Sequence, residues 1–133
     1  MGSRREEGTA VIWVIGLATV TLLLVALAAD GARVLSAVSE TGDTARAAAR
    51  AGALAADPAT RRLDPALADV EARAVVLARD MTPLTIDVAP GGTQITVTVE
   101  TTIDLPLLAL LGVSQRTISS TATSDLLQGV TGP

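Results

Sequence analysis

The spacing of apolar and polar positions changes character along this chain, and each change predicts a different element. From Thr9 to Ala29 there is no charged residue, a run of 21 positions dominated by Val, Ile, Leu and Ala. A helix rising about 1.5 Å per residue would carry that run across roughly 30 Å, the hydrocarbon thickness of a bilayer. Thr9, Gly16, Thr19 and Thr21 interrupt it harmlessly, because a helix satisfies its own backbone and a threonine hydroxyl can bond back to it. The next stretch, DGARVLSAVSETGDTARAAARAGALAA, has no proline and is rich in strong helix formers. Val34, Val38, Thr41, Ala45, Ala48, Gly52 and Ala55 recur every three or four residues as a narrow small-residue stripe. Arg46 and Arg50 lie one turn apart on another face, near Asp43. These patterns predict one helix from Thr9 to Ala56, bending at Gly31 and Gly42 and stopped by Pro58.

Asp64-Pro65 reads as the start of a second helix, with Asp as the N-cap and Pro at the first helical position. Its predicted apolar face is Leu67, Val70, Ala74, Leu77 and Met81, and it ends before Pro83. The period then falls to two. Leu84, Ile86 and Val88 alternate with polar residues, Gly91-Gly92 supplies a turn, and Ile95, Val97, Val99 and Ile103 alternate again. After the apolar insert LPLLALLG (Leu105–Gly112), a third strand is predicted over Val113–Ser124, with Ile118, Ser120 and Ala122 on its inner face. The insert is too short to span a bilayer, which leaves a place in the core or an apolar contact patch. The expected fold is α+β: a long N-terminal helix whose first half is transmembrane, a second helix, and a small three-stranded antiparallel sheet whose apolar face packs on the helices.

Charge adds an orientation. Arg4 and Arg5 precede the apolar run, which by the positive-inside tendency keeps the N-terminus cytoplasmic and exports the rest. Trp13 sits near the cytoplasmic end, where an interfacial aromatic is expected. The organisation that follows is a cytoplasmic leader (1–8), a transmembrane helix (9–29), its extracytoplasmic continuation (30–57), an exported head (58–127) and a frayed tail (128–133). Two rival readings of the run exist. A secretory signal would be cut after Ala26-Leu27-Ala28, although the run is longer than the usual apolar region of such a signal. A buried helix of a soluble protein would need more covering chain than remains. Asp30, which closes the run, is expected to be a solvated charge at the interface, with a partner's arginine as the other option.

Composition then removes whole classes of function. The chain has no His and no Cys, so no Cys–His pair, no Ser–His–Asp triad and no ordinary zinc or copper site can be built. An exported fold must hold without disulfides. Trp13 is the only aromatic residue, so nothing in the head can stack on a sugar or a base. All ten basic residues are arginines, scattered along a chain of net charge −4, which argues against nucleic acid as a partner. Asp57, Asp64, Asp69 and Glu71 lack the spacing of an EF-hand loop, and Asp64 already has a capping role. No cofactor, metal, small-molecule substrate or enzymatic activity is expected. An enzyme would have to rely on a carboxylate pair that no spacing singles out. The polar strand face of Thr96, Thr98, Glu100 and Thr102 is either solvated or a place for strand addition by a partner.

Three segments together resemble the TadE/TadG-like minor pilins (pseudopilins) of the tight-adherence, or Flp, pilus system. They are RREEG running into TAVIWVIGLATVTLLLVALAADGARV, the Ala/Arg tract TARAAARAGALAAD, and the late β-rich region IDLPLLALLGVSQRTISSTATSD. The resemblance spans nearly the whole chain, through soft motifs. It implies a pilin-like fold, a non-enzymatic role in pilus assembly, a place in the inner or plasma membrane, and other pilins as partners. It also implies a prepilin peptidase that cuts after a Gly just before the apolar run. The matching positions are Gly8, with Thr9 as the new N-terminus. Processed members of that family usually carry a Glu at the fifth mature position, where this chain has Trp13; that departure argues against the major, polymerising subunit. Ala45, Ala48, Gly52 and Ala55 are the candidate contact with a partner helix, since small residues let helices approach closely; packing on the chain's own sheet is the alternative, and both can hold along one helix. Outside the pilus reading, the alternative is a membrane-tethered or secreted binding domain.

Overall fold

A computed structural model describes residues 3–126. The tail expected to fray at 128–133 lies outside the described residues, as do Met1 and Gly2 of the leader. The element order is α1 (Ser3–Ala53), β1 (Ala56–Asp57), β2 (Arg62–Leu63), α2 (Pro65–Leu77), β3 (Thr82–Val88), β4 (Gln94–Asp104), a 3₁₀ turn (Leu108–Leu111) and β5 (Gln115–Asp125). The fold is α+β. Strands β3, β4 and β5 form one antiparallel sheet in that order, and β1 pairs with β2 in a short ribbon of its own.

Helix α1 is the spine of the molecule. It begins at Ser3, so the described part of the leader is helical, and it runs unbroken through Gly8, Gly31 and Gly42. It ends at Ala53, ahead of Pro58, where the Leu54 amide donates to Arg50 O and the Ala55 amide to Gly52 O. The chain then turns directly into the β1–β2 ribbon, an element too short to leave a periodic signal in the sequence.

The two halves of α1 have different surroundings. No side chain from Ser3 to Val25 is covered, whereas Ala37, Thr41, Thr44, Ala45, Ala48, Ala49, Gly52 and Ala53 are buried. The buried stripe is wider than the predicted one, because α2 packs on one side of the helix and β4 and β5 on the other. Val38, expected in the stripe, lies outside it and is exposed. The bulk of the core comes from the sheet. Ile95, Val97 and Val99 of β4 are fully buried, and α1 faces them with alanine and glycine. A Cβ on Gly52 would collide with Ile95 Cδ1 and lie 3.2 Å from Ala68 O, so helix, sheet and α2 are in close contact at this position.

Helix α2 starts as its sequence requires. The Asp64 carboxylate accepts from the amides of Ala66 and Leu67, with Pro65 at the first helical position. The buried face is Ala68, Ala72 and Val76, with Val75 partly buried, whereas Leu67, Val70 and Leu77 are exposed. The expected leucine face is therefore turned away from the core. Close helix packing selected the small side chains of α2 for contact and left the large ones outside. The helix closes with Asp80 at φ 55° and the Met81 amide donating to Val76 O, a left-handed cap that folds buried Met81 back over the last turn.

Strand β3 departs from simple alternation. The pairing moves from Pro83 opposite Val99 to Thr85 opposite Thr98, which leaves Leu84 as an extra residue. Leu84 is consequently exposed, while Ile86 and Val88 keep their predicted place against the core. The β3–β4 turn uses Gly92 at φ 65°, whose carbonyl also accepts from the Leu63 amide and ties the β1–β2 ribbon to the sheet. Strands β4 and β5 pair without interruption from Gln94 opposite Asp125 to Asp104 opposite Gln115. Ile118 is buried and Ser120 and Ala122 half-buried on the inner face, as the pattern predicts.

Candidate functional site at the junction of helix and head

The apolar half of α1 is the first candidate surface. It is long and apolar enough to cross a membrane, and none of it is buried against the head. Thr9, Thr19 and Thr21 donate their hydroxyls to Arg5 O, Ile15 O and Leu17 O, so the hydroxyls in this half are satisfied within the helix. Trp13 projects freely, as do Val11, Ile12, Leu17, Leu22 and Leu24. Gly8 and Thr9, the expected processing positions, lie inside the helix with open space around Gly8.

The four stripe residues Ala45, Ala48, Gly52 and Ala55 are all buried inside the head. Here they serve the chain's own packing, on α2 and the sheet. Thr41 and Thr44 lie among them with their hydroxyls donated to Ala37 O and Glu40 O, and Thr44 Oγ1 also accepts from Arg79 Nη1 at 3.1 Å. These bonds let two hydroxyls sit in an otherwise apolar seam.

The least expected arrangement is at Asp30. Its side chain is 0% exposed, which corrects its expected role as a solvated interfacial charge. Oδ2 accepts from the Leu107 amide at 3.1 Å and from the Leu108 amide at 2.7 Å. Oδ1 has no hydrogen-bond partner among the described residues, and the guanidinium of Arg33 lies 3.6 Å away. One carboxylate thus clamps the β4–β5 tip to α1 just beyond the end of the apolar run, across 77 residues of sequence. Two amides aimed at one oxygen are a strong, charge-assisted pair. The spacing of residues around Asp30 held no signal for this clamp; only the β4–β5 hairpin brings its donors near.

The apolar insert divides at the same place. Leu105 is buried, as the core reading requires, whereas Leu110 and Leu111, and Val113 just after the insert, stand exposed. Of the acidic residues that could be read as calcium ligands, Asp57, Asp64 and Asp69 are occupied within the chain. Asp57 accepts from the Ala59 amide and the Thr60 hydroxyl, Asp64 caps α2, and Asp69 holds Arg73 through two contacts. Among the described residues no cluster of three or more acidic side chains has the geometry of a metal site. The outer face of the sheet is a ladder of hydroxyl pairs: Thr96 with Thr123, Thr98 with Thr121 and Thr102 with Thr117. No protein-family model matches the chain, and the curated proteins and solved structures likewise give no match.

Proposed function

We propose that this chain is a single-pass membrane protein whose α+β head sits on the extracytoplasmic face, working as a minor pilin or assembly component of a Tad/Flp-type pilus or secretion machine. One observation carries the reading: a single unbroken helix, Ser3–Ala53, is bare and apolar through its first half and forms the spine of the head through its second. A rod of that kind presents a lipid-compatible face to neighbouring helices and transmits their positions rigidly to the head. The interactions are helix packing and apolar burial, and no chemistry is assigned to any residue. Partners on this reading are the membrane, other pilins, and a prepilin peptidase acting at Gly8–Thr9.

The test is the intact mass of the mature protein from its own host, in membrane and sheared-surface fractions. A start at Thr9 supports prepilin-type processing and entry into a fibre. An N-terminus retained in the membrane fraction supports a permanent anchor at the base of the machine. A start at Ala29 overturns the reading and leaves an exported binding domain.

A further inference from the structure

We infer that the β4–β5 tip is a second membrane contact, with Leu110, Leu111 and Val113 dipping into the phospholipid leaflet through which α1 leaves the bilayer. The inference rests on the bilayer placement of α1 residues 9–29 proposed above.

Strand β5 fixes where the tip lies. Ser120 is beside Gly42 of α1, and Thr121–Ser124 share a groove with Arg46 and Arg50. At the other end, Leu105, Leu108, Val113, Gln115 and Arg116 share a cleft with Leu27, Gly31 and Val34. The hairpin therefore runs down α1 towards its apolar half and ends level with the last turn of the charge-free run. Leu27 is inside that run, about one helical turn before Gly31. The Asp30 clamp holds the 3₁₀ turn at this height through the amides of Leu107 and Leu108.

What the tip shows at that height is apolar. Leu110 is 85% exposed, Leu111 65% and Val113 50%, with only small, uncharged residues among them. The Asp30 clamp fixes the start of the turn that carries them. A solvated loop does not need this composition, and a leaflet boundary favours it. The charges bordering the tip suit the same place. Arg33 and Arg116 are exposed beside it, and their long side chains can reach lipid phosphates. The nearby Asp104 carboxylate is bound by Gln115 Nε2 at 3.0 Å. The clamp also removes the Asp30 charge from the lipid boundary by covering it with backbone amides, which lowers the penalty of a carboxylate at that depth.

The chain has no native cysteine, so single-site labelling is clean. Full-length Leu22→Cys, Leu110→Cys, Leu111→Cys and Thr121→Cys, each carrying an NBD fluorophore, are reconstituted into phosphatidylcholine–phosphatidylglycerol vesicles. Each is quenched separately with doxyl-labelled phospholipid and with aqueous iodide. The expected result is that probes at 22, 110 and 111 lose emission to the lipid quencher and show severalfold weaker iodide quenching than the probe at 121. A probe at 22 in lipid with those at 110 and 111 open to iodide overturns the inference and leaves the anchor standing. A probe at 22 open to iodide overturns both. Probes at 110 and 111 shielded from both quenchers place a protein surface there and overturn the lipid assignment.

Discussion

Gly52→Ala and Gly42→Ala are the same change in the same helix and should move stability in opposite directions. In a helix interior, alanine is favoured over glycine by about 1 kcal/mol. At Gly42 the new methyl meets Ser120 Oγ at 3.6 Å and Arg46 Nη1 at 3.8 Å, ordinary van der Waals contacts, so this gain is kept. At Gly52 the methyl collides with Ile95 Cδ1 and stands 3.2 Å from the Ala68 carbonyl. Ile95, on β4, is fully buried in the core against α1, so its side chain can yield only by displacing packed neighbours. Overpacking of this kind costs about 1–3 kcal/mol. Gly52 lies one residue before the end of α1, where at most part of that interior gain is available, so the collision leaves a gap of at least about 1–3 kcal/mol between the variants. Native-state hydrogen exchange of the β4 amides in detergent micelles is the suitable assay, because the apolar half of α1 would mask a bulk helical signal. The Gly42 variant should exchange more slowly than the parent at Val97 and Val99, and the Gly52 variant faster than the Gly42 variant by a factor of about 5–30 or more. Equal slowing in both variants would refute the close approach of α1, α2 and β4, and would free the stripe for a partner.

Other perturbations separate the parts of the structure. Asp30→Ala leaves the amides of Leu107 and Leu108 without their acceptor; it should loosen the tip by about 1–3 kcal/mol, read as faster exchange at those two amides with the β4 core unchanged. Asp64→Ala should lower the stability of α2 by about 0.5–2 kcal/mol, and Asp64→Ser should recover most of it, as measured by exchange in the first turns of that helix. Ile95→Ala removes a fully buried core side chain and should cost about 2–5 kcal/mol in urea unfolding of the head. Leu67→Ser, on the exposed side of α2, should change stability by less than about 0.5 kcal/mol, whereas Ala72→Leu on the buried side should destabilise by about 1–3 kcal/mol.

The contrast between Leu67 and Ala72 shows where a one-dimensional pattern stops informing. Local rules act over a few residues. The two-residue strands β1 and β2 are too short to leave a period, but four local features were legible: the charge-free run from Thr9, the Asp64-Pro65 start of α2, the turn at Gly91-Gly92, and the alternation of β4 and β5. Each depends on backbone preference or on period, which neighbouring residues set between them. The failures share a different cause. Which face of α2 turns inward depends on how closely α1 approaches, and alanines allow an approach that leucines prevent. Leu84 leaves the core because one extra residue in β3 shifts its register against β4, an event visible only in the pairing. Asp30 and the two amides it holds are 77 and 78 residues apart, joined by a hairpin that no local signal places beside α1.

The apolar stretch of α1, the absence of histidine and cysteine, and the order of helices and strands were determined by the sequence itself, because composition and short-range periodicity carry them. The tertiary structure alone decided that the small-residue stripe is buried within the chain's own head, that Asp30 is buried under backbone amides, and that the leucine tip stands level with the end of the apolar run. Each of these is a relation between residues distant in sequence, and only the closing of the sheet onto the helix brings them together.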